Sequence, residues 1–342
     1  MKRDAFRYGS DETGLIWGYR FSAGNKPAAV HAVNATEALS WLAEQSAGAG
    51  GDFIWLHFNL ANTATEKWFV QNGIVADEFL QSLHEPSRST RIGLAGNSLI
   101  AVVNDVSHRF SFEPSDISTV WMSVDRRTVI SARSTPLASI ERVRHAVECG
   151  EEFRSSVEIL THLLRDQSDV LVDIVRESVE RVDKVEDSLL AGRISQRRAD
   201  LGTLRRVLVR LRRLLAPEPA SLFRLLQRPP SWMMEDDAQE LRQASEEFAV
   251  VLNDMASLQE RIKLLQEEIA AAVNEENSRS LFLLTIVTVL ALPINIVAGL
   301  LGMNVGGVPL ADHAYGFWII FGVVIGFTAV AGCIVIRRQR NE

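Results

Sequence analysis

The chain has 342 residues, of which 47% are hydrophobic and 23% charged, and a net charge of −7. Its length exceeds one average domain. Residues 1–280 carry −8 and the last 62 carry +1, a balance that argues against nucleic acid as the main partner. Only two cysteines occur, Cys149 and Cys333, so there is no disulfide framework and no CxxC metal motif, and a reducing compartment fits.

The first residues, Met-Lys-Arg-Asp-Ala-Phe-Arg, have no apolar stretch behind them and do not read as a signal peptide. Residues 1–150 read as a cytoplasmic α/β domain. Strands are expected at Leu15–Phe21, Phe53–Leu60, Leu99–Val106, Val120–Val124 and Thr128–Ala132, each short, β-branched or aromatic, and bounded by Gly, Asn or Asp. Helices are expected around Ala35–Glu44, Ala64–Gln71 and Ala76–Leu83, an alternation that predicts a sheet layered with helices. Asp125-Arg126-Arg127 is read as the turn between the last two strands.

From about Pro136 the pattern changes, and residues 151–280 read as a long-helix stalk. Val157, Leu160, Leu164, Leu171, Ile174, Val182, Val185 and Leu189 repeat at three and four, one face of a long helix ended or interrupted near Gly192. A second helix, about Ala199–Leu215, belongs to an arginine-rich stretch of Arg197, Arg198, Arg205, Arg206, Arg210, Arg212 and Arg213. Phosphates or anionic lipid would suit these side chains. The reading preferred here is a solvated face paired with Glu235, Asp236 and Asp237. Pro217, Pro219, Pro229 and Pro230 punctuate the next stretch. Glu235 then opens a helix with no Pro or Gly before Pro293. Phe248, Leu252, Met255, Ile262, Leu265, Ile269 and Val273 give it a near-heptad seam, and at ~1.5 Å per residue it exceeds ~80 Å. A helix of that length needs partners, which a coiled or bundled oligomer supplies.

Two charge-free apolar runs close the chain, Leu281–Leu301 and Ala314–Ile336. Each reaches the ~20 residues that a bilayer-crossing helix needs. The connection between them, residues 302–313, holds no Lys or Arg, whereas the tail, residues 337–342, holds Arg337, Arg338 and Arg340. The positive-inside rule places that tail, and therefore the N-terminal part, in the cytoplasm, with the connection facing outward. In the first run Leu281, Thr285, Thr288, Leu292, Asn295, Gly299 and Gly302 share one helix face. Asn295 facing lipid would be badly unsatisfied, so the stripe reads as a pore wall or as helix–helix packing. Two helices cannot enclose water, so a pore requires several chains. The second run, with Gly322 and Gly326, reads as the outer packing helix. Pro293 frees the Val289 carbonyl.

Gly302-Met303-Asn304, at the outer end of the first of two C-terminal spans, resembles the CorA family of divalent-metal transporters. The acidic N-terminal part, long helix, short loop and basic tail match that family along the whole chain. The resemblance implies an α+β membrane protein of the bacterial inner membrane. It implies a homopentamer with a funnel of long helices and a pore lined by the first span from each chain. Gly302 and Met303 would offer backbone carbonyls and Asn304 its amide oxygen, forming a ring that holds a hydrated cation through its waters. Many magnesium-type members continue with an aromatic residue and Met-Pro-Glu-Leu. Here Val305-Gly306-Gly307-Val308-Pro309 follows, which looks like the ZntB branch associated with zinc. Transport of Zn²⁺, with Mg²⁺ or Co²⁺ as the alternative, and coupling to protons are what this branch implies. Asp312 and His313 are candidate loop ligands for Zn²⁺, and Glu267 and Glu268 are candidate cation-attracting stalk acids.

His31, His57, His84, His108, His145 and His162 show no HExxH or similar spacing and read as structural. No Walker A pattern and no nucleophile–base spacing is present, so no enzyme and no covalently held cofactor is expected. A membrane-tethered coiled-coil scaffold remains the reading from another class.

Overall fold

The computed structural model describes residues 9–22, 29–44, 51–85, 90–191, 198–303 and 314–339. The chain divides into two compact units, Met1–Gln266 and Glu267–Glu342. The first is built on one seven-stranded sheet of β1 (Leu15–Ser22), β2 (Ala29–Ala32), β3 (Phe53–Asn59), β4 (Arg91–Ala95), β5 (Ser98–Val106), β6 (Ile117–Val124) and β7 (Thr128–Arg133). The strand order is β2-β1-β3-β7-β6-β5-β4. Only the β3–β7 pair is parallel among the described pairings. The β6–β7 turn is closed by Asp125, whose Oδ1 accepts the Arg127 and Thr128 amides at 2.7 and 2.8 Å, the local bonding that makes Asp a turn residue.

Every residue of β3 is buried, because both faces of the sheet are covered. Ile54, Leu56 and Phe58 face a core shared with α1 (Ala35–Glu44), α2 (Ala64–Asn72) and α3 (Asp77–His84), which contribute Trp41, Phe69 and Phe79. Phe53 and Trp55 face the opposite core, which takes residues from α4 (Ala138–Glu148), α5 (Ser156–Leu190), α7 (Pro217–Leu226) and the start of α8 (Glu235–Leu301). This is the strand period of two read out as two cores. His57 lies on the same face as Phe53 and Trp55. Its Nε2 accepts from Arg133 Nε at 3.0 Å, so its Nδ1 carries the proton and donates to Ser131 Oγ at 2.7 Å. Burial, then Arg133 and Arg144, hold His57 well below the usual histidine range, and it serves as a structural hydrogen-bonding residue.

The sheet also buries acids. Asp105 accepts the Ser139 amide and hydroxyl at 3.0 and 2.9 Å, capping the first turn of α4. Burial nonetheless pushes Asp105 up to about 6. Glu218, in the first turn of α7, accepts from Thr90 Oγ1 at 3.3 Å, and its burial raises it well above the carboxylate range. On α5, burial pushes Asp166 up to about 7, with Arg142 opposing and Asp169, Glu151 and Asp105 adding to the rise.

Several elements depart from the sequence expectations. β2, β4 and α4 were not anticipated. The proline-punctuated stretch contains α7, with Pro217 at its first position, where no intrahelical N–H is needed. The stretch containing Gly192 lies outside the described residues, and α5 stops at Leu190. Most of the near-heptad seam of α8 is filled from within the chain: Phe248, Leu252, Met255, Ile262, Leu265 and Ile269 are buried in a single copy, and Val273 is half-buried. Arg261 bonds Asp183 of α5 at 2.7 Å, and Arg205 of α6 (Arg198–Leu215) bonds Gln266 at 3.0 Å. The oligomer expected to cover this seam is not needed for it. The α6 arginines do not pair with Glu235, Asp236 or Asp237 among the described residues; Asp237 accepts from Ser155 at 2.8 Å instead.

Asp166 gives a pH test. Its native form holds the proton more tightly than the unfolded chain, so its contribution to stability is present below the unfolded value near ~4 and lost as pH rises through about 7. Asp166→Asn removes that loss. After discounting for solvent reaching a partly exposed carboxyl, the variant is expected to gain on the order of 1 kcal/mol at pH 8 and less at pH 5. Thermal unfolding followed by tryptophan fluorescence checks it; an equal shift at both pH values contradicts the assignment.

Candidate functional site

The second unit contains the upper part of α8 and α9 (Gly316–Gln339). Both helices have the length and apolarity to cross a membrane. Pro293 sits inside α8, and the helix continues through it to Leu301. At ~100° per residue, Leu281, Thr285, Thr288, Leu292, Asn295, Gly299 and Gly302 fall within an arc of roughly 100°. The opposite arc carries Leu283, Val287, Leu290, Ile294, Val297 and Leu301, all aliphatic.

The polar members of the stripe are exposed in the single chain. Thr285 Oγ donates to the Leu281 carbonyl at 2.8 Å, and Thr288 Oγ donates to the Leu284 carbonyl at 2.9 Å. Each hydroxyl thereby uses its one proton inside the helix and presents only lone pairs outward. Among the described residues the Asn295 carboxamide has no partner in the chain. An amide in hydrocarbon without a hydrogen bond costs several kcal/mol, so this face suits water or a second protein surface and not lipid.

The helix ends beside the Gly-Met-Asn triplet. The Gly302 amide donates to the Ala298 carbonyl at 3.0 Å. A Cβ on Gly302 would stand 3.1 Å from that same oxygen, so a side chain here would crowd the last turn. Met303 is exposed. Asn304, Asp312 and His313 lie outside the described residues. Glu267 and Glu268 are both exposed; Glu267 continues the Thr–Asn stripe downward, whereas Glu268 is turned about 100° from it. Asn274 and Ser278, exposed on the same line between Glu267 and Leu281, were missed in the sequence reading. Continuing the three-and-four spacing below the first apolar residue would have found them.

α9 opens with an exposed aromatic group. Phe317 and Trp318 lie edge to face with centroids 5.6 Å apart, and Phe321 stands 6.0 Å from each. Trp318, with its indole N–H, and the exposed Tyr315 just before the helix are the amphipathic rings that favour a membrane–water interface. Among the described residues no three His, Cys, Asp or Glu side chains converge as a metal-holding group. The stripe itself offers only neutral groups, the hydroxyl lone pairs of Thr285 and Thr288 and the Asn295 carboxamide.

Comparison with known proteins bears on this geometry. The family model for CorA-like Mg²⁺ transporter proteins matches residues 50–338. The divalent cation transporter CmaX of Pseudomonas aeruginosa is 31% identical over 335 residues, covering 96% of this chain and 97% of the relative. The zinc transport protein ZntB of Pectobacterium carotovorum is 23% identical over 264 residues, covering 77% of this chain and 80% of its own. The full-length CmaX structure superposes with a TM-score of 0.79 at 29% identity, over 97% of this chain and 99% of that one. The CorA magnesium transporter of Methanocaldococcus jannaschii shares the fold, with a TM-score of 0.72 at 18% identity over 94% and 97% of the two chains.

The stripe makes a labelling prediction. In a Cys149→Ser, Cys333→Ser background, single cysteines replacing Thr285, Thr288, Asn295 or Gly299 should react with a membrane-impermeant thiol reagent. Cysteines replacing Leu283, Val287, Leu290 or Ile294 should react more slowly by a factor of about ten or more, because a thiol in hydrocarbon does not ionise. Equal rates on the two faces, measured in native membranes, would remove the distinction.

Proposed function

This chain belongs to the CorA family of divalent-cation transporters, and on that premise we propose that five copies surround one pore in a bacterial inner membrane and carry Zn²⁺ through it. The observation that carries this reading is the stripe of Thr285, Thr288, Asn295 and Gly299 on a helix whose opposite face is wholly aliphatic. The outward lone pairs of Thr285 and Thr288 match the outward protons of a cation's water shell, so the ion passes hydrated and no strong ligand traps it. Mg²⁺ and Zn²⁺ both carry firmly held water in this description; what favours zinc is the Gly-Gly-Val-Pro after the triplet together with relatives named as zinc transporters.

At the outer mouth, Gly302, Met303 and Asn304 from each copy form the ring that selects the ion, with Asp312 and His313 of the loop as its first contacts. At the inner end Glu267, Asn274 and Ser278 extend the same line, with Glu268 beside it. Both termini lie in the cytoplasm. With the interior negative, entry of a divalent ion gains roughly 4.6 kcal/mol per 100 mV, so inward movement needs no ATP. Neither span contains Asp or Glu, so protons accompanying the metal would travel through water and the flanking loop and stalk acids.

Flux in proteoliposomes with Zn²⁺, Mg²⁺ and Co²⁺, with and without a pH gradient, tests this. Zn²⁺ uptake should exceed that of Mg²⁺, and Asn304→Ala should reduce that preference by about tenfold, the equivalent of ~1.4 kcal/mol. Mg²⁺ flux well above Zn²⁺ moves the protein to the magnesium and cobalt reading. Absence of any flux from folded protein favours a tethered scaffold.

A further inference from the structure

The arginines of α6 have no role in the proposed pathway, and among the described residues five of them stand close together with neutral partners only. Among the described residues nine arginines outside α6 form ion pairs with Asp or Glu: Arg133 with Glu141, Arg142 with Asp173 and Arg261 with Asp183 are examples. Arg205, Arg206, Arg210, Arg212 and Arg213 form none. The partners they do find are neutral. Arg205 reaches Gln266 at 3.0 Å, Arg206 reaches Thr203 Oγ1 at 3.0 Å and Arg212 reaches Gln259 at 3.5 Å.

The helix itself explains why these charges face outward. Leu201, Leu204, Val207, Leu208, Leu211, Leu214 and Leu215 are buried and form the apolar side of a strongly amphipathic helix. Arg206, Arg210 and Arg213 follow at i, i+4 and i+7, one above another on the opposite side. Like charges at that spacing repel one another and weaken the helix. Arg198–Leu215 carries +5 in a chain of net −7.

Four of these arginines, Arg205, Arg206, Arg210 and Arg213, line one surface groove of about 470 Å³ together with Gln266, and no carboxylate lines it. Guanidinium forks pair bidentately with phosphate oxygens. Four forks along two helical turns exceed what one phosphate can engage, whereas linked phosphates present charge along the same line. We propose that this groove is a binding site for a soluble anion carrying two or more linked phosphates, of the nucleoside di- or triphosphate or inorganic polyphosphate class. Val209, 46% exposed at its edge, offers an apolar surface beside the charges.

Isothermal titration of the full-length protein in neutral detergent with sodium tripolyphosphate tests the site. Saturable binding is expected, weakened by raising the salt concentration and by about tenfold or more in Arg206→Gln, Arg210→Gln. The Arg206→Lys, Arg210→Lys variant keeps the charge without the fork and should fall between the two. Since all these side chains are exposed, circular dichroism should be unchanged. Binding absent in the wild type, or equal in wild type and the glutamine variant, overturns the proposal. Two further results overturn it by reassigning the face. One is an arginine-dependent preference for phosphatidylglycerol over phosphatidylcholine nanodiscs with no response to tripolyphosphate, which makes the ligand a lipid headgroup. The other is a fall in oligomer mass on glutamine substitution with no anion binding, which makes it a second copy of the chain.

Discussion

Water's absence from the bilayer interior is the constraint on which the reading of this molecule depends. A helix crossing hydrocarbon can satisfy its backbone internally, but a side-chain amide such as Asn295 cannot satisfy itself. The chain places that amide on an exposed face, in line with two hydroxyls whose protons are already used. Such a face needs either water or protein against it. A single copy, with two apolar helices, supplies no enclosed water. Water or a packed protein surface along the stripe is therefore what the assembled molecule has to supply.

The first unit, Met1–Gln266, solves a different problem by a similar rule. Its sheet is covered on both faces, so polar groups within it must find partners or lose their charge. His57 does the first, bonded at both ring nitrogens to Ser131 and Arg133. Asp105 does both in part: it accepts three hydrogen bonds from Val106 and Ser139 and is still shifted upward by burial. Glu218 accepts from Thr90, and its burial raises it well above the carboxylate range. For both acids, burial drives the shift and the hydrogen-bond donors offset only part of the lost hydration.

Much of this was legible in the residues. The strands with dense Val, Ile, Phe and Trp were readable because both-face burial demands apolar side chains throughout. α8 was readable from the want of Gly or Pro between Glu235 and Pro293. The stripe followed from helical spacing alone. The short, exposed edge strands β2 and β4 carry too little apolar pattern to stand out. α7 was hidden by prolines that signal a break in mid-helix but are tolerated in a first turn. The buried acids were invisible for another reason: Thr90 and Glu218 lie 128 positions apart, and no local pattern announces which carboxylate will be covered. The arginines of α6 were visible, but their expected acidic partners were chosen by nearness in sequence, and the fold gave Asp237 to Ser155.

The internally filled seam of α8 bears on how the molecule is made. Phe248 through Leu265 find their cover in the same chain, so the first unit can complete its core by itself. It also leaves the ribosome before the apolar helices do, because residues are synthesised in order and domains fold as units. The chain thus reaches the membrane with a finished body and an unfinished polar face. Whatever comes to cover that face meets a surface already formed, so this step should be insensitive to how fast the N-terminal unit folds.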